Sequence, residues 1–398
     1  MALALPLFAA CSGDTDGSEP VVRDSAGVRI VESPGPAWAT GEGWRISDAR
    51  VTIGVVEGAH GEQLDDVRGA VRLADGTIVI ANGGSAELFR YALDGTFLDA
   101  FGGRGEGPGE FLDLTWIGTN ADSILVWDRT RGRVTVHSAA GRMAREYRPA
   151  LPEGVLAMDH EGRGGLSGGR ILLRSGPTFV PTGGEFGLQR QPLGARLVSA
   201  TGETIREVGP FPGEEIHLRE GRQPGTIIRT PVLLGGATLF AAGGERVYVA
   251  DNAAYDIRAY DAEGALVGIF RRAHQPSPVR PEERSAAVDA YLEGVPPVEE
   301  IREAMRASLE SVPIPEFLPA IRALRVDSEG FLWVEAFRRL GERVATWSVF
   351  DPSDGWLGDL TLEAGLQPLD IGVDYLLVLL RDDLDVEYVR LLDLHRSS

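Results

Sequence analysis

Acidic and amide side chains end four of the apolar segments in this chain, at positions where they could act on a common ligand. The four residues are Asn82, Asp128, Asp251 and Glu335. Their oxygens are hard ligands of the kind that bind Ca²⁺ or another divalent cation. The same oxygens can instead accept hydrogen bonds from the turn that follows. Because recurrence in successive units is what a structural role produces, we expect turn capping and no cofactor, with a divalent cation as the alternative.

Arginines stand close to these acids in the sequence. Arg129, Arg131 and Arg133 follow Asp128, and Arg104 lies in a glycine-rich stretch. The simpler interpretation of residues 129 to 133 is a solvated turn, but a mixed rim of guanidinium and carboxylate groups can also recognise a carboxylate or a sugar acid. The candidate ligand-binding residues are Asn82, Arg104, Asp128, Arg129, Arg131, Asp251, Asn252 and Glu335.

Residue patterns for the common catalytic centres are missing. The 6 histidines show no H-x-x-x-H spacing, the single cysteine excludes a Cys-based zinc site, and no G-x-S-x-G elbow occurs. His137 occupies a strand position that Tyr91 and Tyr260 fill in other segments, so we expect it to be a packing residue. The sequence therefore names no catalytic residue.

Composition and charge favour an all-β protein that does not bind nucleic acid. The 398 residues include 51 Gly and 24 Pro, with 43% hydrophobic residues, which indicates many short strands and tight turns. The formal net charge of -20 leaves no basic surface for neutralising phosphates.

The elements that position the acidic residues are repeated strand pairs. Three segments align without gaps from the acidic turn onward, each with thirteen residues between the turn residue and a glycine: Asn82 to Gly95, Asp128 to Gly141 and Asp251 to Gly264. Three looser copies begin near residues 170, 330 and 375. Six such units must stack or close into a ring to bury their faces. We predict a six-bladed β-propeller, closed by an N-terminal strand near residues 51 to 54 that joins the last blade.

The crossings between blades carry a family resemblance. The stretch from Phe101 to Phe111, FGGRGEGPGEF, resembles the signature of the bacterial 6-bladed β-propeller family related to NHL-repeat proteins, and Val326 to Val334, VDSEGFLWV, is similar to that family's penultimate-blade motif. Glycines 102 to 109 are expected to allow positive φ at the crossing rather than to hold phosphate. The resemblance implies the fold and an exported lipoprotein, and it brings no catalytic residues.

Two further segments stand outside the repeats. Residues 1 to 20 read as a signal with a lipobox-like LFAAC, in which Cys11 would be lipidated, followed by a polar tether. The propeller would span residues 21 to 398. Residues 281 to 312 read as two short helices inserted between the fourth and fifth blades, with Ile301, Ala304, Met305 and Leu309 as an apolar stripe.

These patterns favour a binding module over an enzyme. We expect an exported, lipid-anchored monomer, in the periplasm or at the outer membrane, which binds a protein or small molecule on its loop-rich face. One alternative is a metal-dependent hydrolase or lyase, since lactonases of the six-bladed class hold their metal with acidic and amide ligands. A purely structural surface protein is the other.

Overall fold

The strands of this chain pair into six sheets. The computed structural model describes residues 19–39, 41–151, 156, 159–176, 186–221, 223, 225–339 and 341–396. Cys11 and the predicted lipobox lie outside these residues. Within the described residues the fold is all-β, with two helices. All strand pairs are antiparallel except one.

We number the sheets I to VI in the order of their first strands, which lie side by side as described below. Sheet I contains β4 (Val67–Arg72), β5 (Ile78–Asn82), β6 (Glu87–Tyr91) and β7 (Phe97–Gly102). Sheet II contains β8 (Leu114–Asn120), β9 (Ser123–Asp128), β10 (Arg133–Ser138) and β11 (Met143–Tyr147). Sheet III contains β12 (His160–Leu166), β13 (Arg170–Ser175), β14 (Gly187–Val198), β15 (Thr204–Glu220) and β16 (Ile227–Pro231).

The second half of the chain repeats this arrangement and takes in the N-terminal strands. Sheet IV contains β17 (Thr238–Gly243), β18 (Arg246–Asp251), β19 (Asp256–Asp261) and β20 (Leu266–Arg272), extended by β2 (Val28–Ser33) and β1 (Val21–Ser25). Sheet V contains β21 (Ile321–Val326), β22 (Leu332–Ala336), β23 (Val344–Asp351) and β24 (Gly355–Glu363). Sheet VI contains β25 (Gln367–Ile371), β26 (Tyr375–Arg381), β27 (Glu387–His395) and β3 (Arg45–Ile53).

The apolar residues of each sheet are buried against the next sheet. Separate hydrophobic clusters lie between sheets I and II, II and III, III and IV, IV and V, V and VI, and VI and I. Contacts between first strands run from β25 through β4, β8, β12 and β17 to β21. Each sheet therefore covers both of its faces with its two neighbours, as the repeat pattern requires.

The N-terminal segment pairs with three consecutive sheets. β2 runs parallel to β20 at the edge of sheet IV. The backbone N–H groups of Ala37 and Trp38 then donate to Trp356 O and Leu357 O on β24 of sheet V. β3 pairs antiparallel with β27, with Ile53 opposite Val389, as predicted for the strand near residues 51 to 54. The contacts with sheets IV and V were not predicted, because residues 21 to 33 carry no repeat signal.

Two helices, α1 (Pro281–Glu293) and α2 (Glu299–Glu310), lie between β20 and β21 in the chain. Pro281 is the first helical residue of α1, and Glu283 accepts a hydrogen bond from Arg280 N at 2.8 Å. The helices pack on each other through Val288, Leu292 and Leu309. The predicted stripe on α2 is wrong at Ile301 and Ala304, which are exposed, whereas Met305 and Leu309 pack against α1.

The glycine-rich crossing from Phe101 to Phe111 has the predicted positive φ at Gly102, Gly103 and Gly109, and not at Gly105 or Gly107. Gly102 and Gly103 have φ of 95° and 118°, a region that favours glycine. A Cβ on Gly102 would also lie 2.8 Å from the ring of Phe111, which is fully buried. The two requirements together explain why glycine occupies this position.

His137 packs as predicted, with 1% of its surface exposed and its ring 5.0 Å from that of Phe101. Burial lowers the pKa of His137 below its ordinary value of 6.5. The unfolded chain therefore binds a proton at this residue in a pH range where the folded protein does not. Stability should be lost as the pH falls from about 6.5 through the folded pKa.

Replacing His137 with tyrosine should reduce this acid sensitivity. In sheet I the equivalent Tyr91 donates its hydroxyl to Gly61 O at 2.7 Å, and Gly109 lies at the corresponding place beside His137. We expect His137→Tyr to match or exceed wild-type stability by about 1 kcal/mol at pH 5.5 and to show a shallower fall between pH 7 and 5. Urea unfolding at several pH values measures both, with His395→Tyr, an exposed position, as the control. An unchanged pH slope would contradict this expectation.

Candidate functional site

Three of the predicted site residues hold the backbone of the chain that leads into their own sheet. Asn82 accepts a hydrogen bond from Asp65 N at 2.8 Å, and Asn252 accepts one from Ala237 N at 2.9 Å. Asp128 is fully buried and accepts hydrogen bonds from Leu112 N, Asp113 N and Arg131 N. Asn82 and Asp128 lie opposite the first residue of the first strand in sheets I and II, and Asn252 follows the corresponding residue of sheet IV, Asp251. Their oxygens mainly hold the segment that precedes the sheet, whereas the sequence predicts capping of the turn that follows, which Asp128 also performs through Arg131 N.

The other two predicted acids form ion pairs. Asp251 accepts a hydrogen bond from Arg190 Nη1 at 2.6 Å and another from Ala253 N. Glu335 Oε1 accepts one from Arg322 Nη1 at 3.0 Å and lies 3.5 Å from Arg338 Nε. These carboxylates are therefore neutralised by arginine and do not converge with the caps described above.

The predicted arginines divide between crossings and ion pairs. Arg104 donates to Gly84 O at 3.1 Å and so ties the crossing to the turn after β5. Arg129 Nε donates to Asp113 Oδ2 at 2.7 Å, and Arg131 lies 3.1 Å from Glu106. Arg133 is not in a solvated turn: it is 2% exposed and donates to Gly107 O and Glu110 O. Its buried partners are backbone carbonyls of the crossing, which the local charge pattern does not reveal.

A second group of arginines stands on the first strands of sheets III and V and beside them. Arg163 on β12 and Arg174 on β13 both donate to Glu161 Oε2, the latter at 3.0 Å. Arg174 also donates to Glu214 Oε1 at 2.9 Å. Arg325 on β21 donates to Pro368 O. We call the following residues the arginine cluster: Arg129, Arg163, Arg174, Arg322, Arg325 and Arg338.

Charged residues on sheets II, III and V shift the pKa values of Glu161 and Arg325. Burial would raise the pKa of Glu161, but Arg163, Arg174 and then Arg129 of sheet II hold it below its usual value. Burial, followed by Arg163 and Arg322, lowers the pKa of Arg325, and Glu335 opposes this shift. Arg163 on β12 of sheet III therefore affects Arg325 on β21 of sheet V, although sheet IV lies between these two sheets in the chain.

Arg163 and Arg325 are enclosed by protein but remain in contact with water. The side chain of Arg163 is 38% exposed, and Arg325 is also exposed. Surrounding protein nevertheless lowers the pKa of both groups. Both side chains are therefore accessible to solvent while the protein around them disfavours their charged form.

Four carboxylates pair with arginines of the cluster, and each accepts these hydrogen bonds through only one of its two oxygens. Glu161 Oε2, Glu214 Oε1, Glu335 Oε1 and Asp113 Oδ2 have arginine partners. Within the described part of the chain, no hydrogen bond engages the second oxygen of any of these four groups. The Nε atoms of Arg174 and Arg338 are buried there without a hydrogen-bond partner as well. The cluster thus offers both donors and acceptors to a ligand.

The residue patterns do not single out Arg163, Arg174, Arg322 and Arg325. The predicted candidates lie at strand ends, turns and crossings, whereas three of these four arginines lie on the first strands β12 and β21. The available signal was a charged residue on the first strand of a unit: Arg163 interrupts the glycine run EGRGG, and Arg322 and Arg325 interrupt the apolar IRALRV. Glu335 and Arg129 are the two predicted residues that belong to this site.

Metal-ligand groupings, surface cavities and helices add no residue to the arginine cluster. In the ranges that the structure describes, no three His, Cys, Asp or Glu side chains are grouped as a metal site would require. Two surface cavities of about 390 and 620 Å³ are lined by residues around Phe211 and Trp38, and neither shares a residue with the arginine cluster. No described helix is long and apolar enough to cross a membrane.

Comparison with known proteins supports the fold and leaves the function open. No protein-family model matches the chain, and no curated protein matches its sequence. The structure is similar to that of a predicted exported protein of Bacteroides fragilis, with a TM-score of 0.50 and 14% identity over 93% of this chain and 100% of that one. It is equally similar to a DUF4221 family member from Bacteroides vulgatus, with a TM-score of 0.50 and 9% identity over 89% of this chain and 99% of that one.

A virginiamycin B lyase from Staphylococcus aureus is less similar, with a TM-score of 0.38 and 10% identity over 90% of this chain and 97% of that one, and we draw no argument from it. At such identities the likeness concerns the fold alone. The resemblance to the NHL-like family and the lipoprotein assignment stay predictions. The chain has a β-propeller-like, all-β fold similar to that of a predicted exported bacterial protein.

Proposed function

We propose that this chain is an exported, monomeric six-bladed β-propeller that binds an anionic ligand at the arginine cluster without transforming it. The cyclic order of the interfaces between sheets and the pairing of β3 with β27 support a ring of six blades, in which the two helices are an insertion between blades IV and V. A lipid anchor on Cys11 would keep the module at a membrane surface. Protein partners at the loop-rich face stay part of the proposal.

The observation that carries the proposal is that Arg163 on β12 lowers the pKa of Arg325 on β21. Repulsion between two guanidinium groups is an unfavourable arrangement in an otherwise acidic protein. An anion between them would relieve this repulsion and form charge-assisted hydrogen bonds with both. Of the predicted candidates, Arg129 and Glu335 would border this ligand, while Asn82, Arg104, Asp128, Arg131, Asp251 and Asn252 would shape the surrounding face.

Isothermal titration with acetate, citrate and sulfate at fixed ionic strength tests the proposal. We expect at least one of these anions to bind, and Arg163→Met or Arg325→Met to weaken binding about tenfold or more, since hydrogen bonds to charged groups contribute about 1.5–3 kcal/mol. Arg23→Met is the matched control, because Arg23 lies on β1 and is about half exposed. Equal affinities in all four proteins would refute the site, as would the absence of any binding.

A further inference from the structure

The interface between sheets III and IV contains a cavity of about 390 Å³, at the fourth strand of sheet III and the third strand of sheet IV. Arg206, Val208 and Phe211 line it from β15, and Arg258 and Tyr260 line it from β19. Val208 and Phe211 belong to the hydrophobic cluster between the two sheets, and Tyr260 packs on that cluster. The volume suits a small organic molecule, since ligand pockets commonly measure about 300–1,000 Å³.

A β-bulge in β15 forms one wall of this cavity. Between the pairs that Val208 and Phe211 form with β14, two residues of β15, Gly209 and Pro210, face a single residue of β14. Residues three apart in a regular strand point to opposite faces, but Val208 and Phe211 both lie in the cluster that packs against sheet IV. The bulge therefore turns Phe211 toward sheet IV. Bulges that redirect a side chain in this way are common next to functional sites.

Each wall of the cavity carries one arginine. Arg258 lies opposite Val249, a member of the same cluster, so its side chain leaves β19 on the face that packs against sheet III. Arg206 packs on the turn after β19: a Cβ on Gly264 would lie 2.8 Å from Arg206 Cβ, and Arg206 Nε donates to Glu263 O at 3.2 Å. The two side chains therefore border one cavity from adjacent sheets.

Neither arginine has a carboxylate partner in the described part of the chain. The acids beside them on the same strands, Glu207 and Asp256, accept hydrogen bonds from other arginines at 2.6 and 2.7 Å. Among the described residues, Arg258 donates no hydrogen bond and Arg206 donates only through Nε. Two positive charges thus border this cavity in a chain whose formal net charge is -20. An oxyanion with two negative charges would neutralise both and accept charge-assisted hydrogen bonds from them.

The other lining residues indicate what else the ligand carries. Tyr260 has a hydroxyl group without a hydrogen-bond partner among the described residues, and its ring lies edge to face with Phe211 at 6.2 Å. Phe211 is 9% exposed, and Pro210 is exposed on the bulge. An inorganic ion would leave this apolar surface in contact with water, whereas an organic group would cover it.

We propose that this cavity binds a phosphomonoester, whose phosphate pairs with Arg206 and Arg258 and accepts a hydrogen bond from Tyr260, while its organic group lies against Phe211 and Pro210. A phosphomonoester carries two negative charges above its second pKa of about 6. It therefore matches both arginines, whereas a carboxylate matches one. The cavity is separate from the arginine cluster, so this inference does not depend on anion binding there.

The test measures phenyl phosphate, inorganic phosphate and benzoate as ligands of the full chain, by isothermal titration at equal ionic strength and about pH 8, where the phosphates are dianions. We expect phenyl phosphate to bind at least about fivefold more tightly than inorganic phosphate, because its ring covers apolar surface. It should bind about tenfold more tightly than benzoate, because it engages the second arginine. Phosphate binding as tightly as phenyl phosphate would overturn the organic group, and benzoate binding as tightly would overturn the dianion.

Variants that remove one donor each locate the binding. Arg258→Met changes an exposed side chain, so the protein should fold, and phenyl phosphate should bind about tenfold or more weakly. Tyr260→Phe, which removes only the hydroxyl, should weaken binding about fivefold. Arg229→Met is the matched control, because Arg229 is exposed on β16 and does not line the cavity. An equal loss in Arg229→Met and Arg258→Met would reveal a general charge effect and overturn the site.

A variant of the arginine cluster separates this site from the proposed function. Phenyl phosphate should bind Arg325→Met as tightly as the wild type. If binding is lost in Arg325→Met and retained in Arg258→Met, the phosphate binds at the arginine cluster, so this inference falls and the proposed function stands. If acetate, citrate and sulfate show no binding that depends on Arg325 while phenyl phosphate binds through Arg258, the reverse holds. The absence of phenyl phosphate binding would also overturn the inference.

Discussion

Replacing Asp327 with alanine is expected to lower the free energy of unfolding by about 3–5 kcal/mol, the usual cost of breaking a buried ion pair. The side chain of Asp327 is fully buried in the turn between β21 and β22. Its Oδ1 accepts hydrogen bonds from Glu329 N and Phe331 N, and its Oδ2 accepts them from Trp333 Nε1 at 3.0 Å and Arg396 Nη2 at 2.9 Å. Alanine would leave all four donors without this acceptor.

The cost is large because the partners are themselves structural. Arg396 stacks on Trp44 at 4.2 Å, so Asp327 joins the C-terminal segment, the N-terminal segment and sheet V at one point. Burial raises the pKa of Asp327 against the effect of Trp333 and Arg396, which indicates that the ion pair only partly offsets the desolvation of the carboxylate. Leu73 fills the same turn position in sheet I, where no tryptophan or arginine needs an acceptor.

Urea unfolding of Asp327→Ala, Arg396→Met and the double variant measures this effect. The double variant should cost less than the sum of the single variants, because each single change leaves the other group unpaired. Asp94→Ala is the control: Asp94 is exposed in a turn and accepts a hydrogen bond only from Thr96 N. A loss for Asp327→Ala no larger than for Asp94→Ala would show that the network contributes little.

A chain that begins at residue 54, and so lacks β3, is expected to be unfolded at 25 °C. β3 is the fourth strand of sheet VI and pairs with β27 along most of its length. Ile53 is 4% exposed and belongs to the hydrophobic cluster between sheets VI and I. Without β3, β27 becomes an open edge and this interface loses part of its core. Stabilities of about 5–15 kcal/mol for a whole protein do not tolerate such a loss.

The control is a chain that begins at residue 42, which lacks β1 and β2 but keeps β3. It loses the buried Val31, the parallel pairing with β20 and the contacts of Trp38 with sheet V. It should therefore be destabilised by more than the contribution of one buried side chain, about 1.5–3 kcal/mol, and still unfold cooperatively. Circular dichroism and urea unfolding distinguish the two chains. If the chain from residue 54 folds as stably as the chain from residue 42, β3 does not close a ring and the six-bladed arrangement is wrong.

The local residue patterns of the sequence predict the positions of the strands and turns. The thirteen-residue spacing from Asn82, Asp128 and Asp251 corresponds to β5 with β6, β9 with β10, and β18 with β19, each followed by a turn glycine. Positive φ at the crossing glycines is a local property, so composition and spacing determine it. The hydrogen bonds that Asn82 and Asp128 accept from Asp65 N and Asp113 N reach 17 and 15 residues back along the chain, so they depend on how the segment before each sheet folds.

The candidate site was only partly predictable. The predicted equivalence of Glu335 with Asp128 is wrong by one residue: Ala336 lies opposite the first residue of β21, as Asp128 lies opposite the first residue of β8, and Glu335 pairs with the arginine cluster. Repetition predicts where a residue stands in its own sheet. It does not show which neighbouring side chains bring unmatched charge.

The sequence by itself determined an all-β chain of repeated strand pairs, the glycines of its crossings, and the burial of His137, because these depend on interactions between residues close in the chain. Tertiary structure alone decided that Arg163 lowers the pKa of Arg325, 162 residues further along the chain, and that Trp116 lies against glycines of the next sheet. Electrostatic and packing contacts depend on distance in space, and the order in which the sheets pack against one another sets that distance.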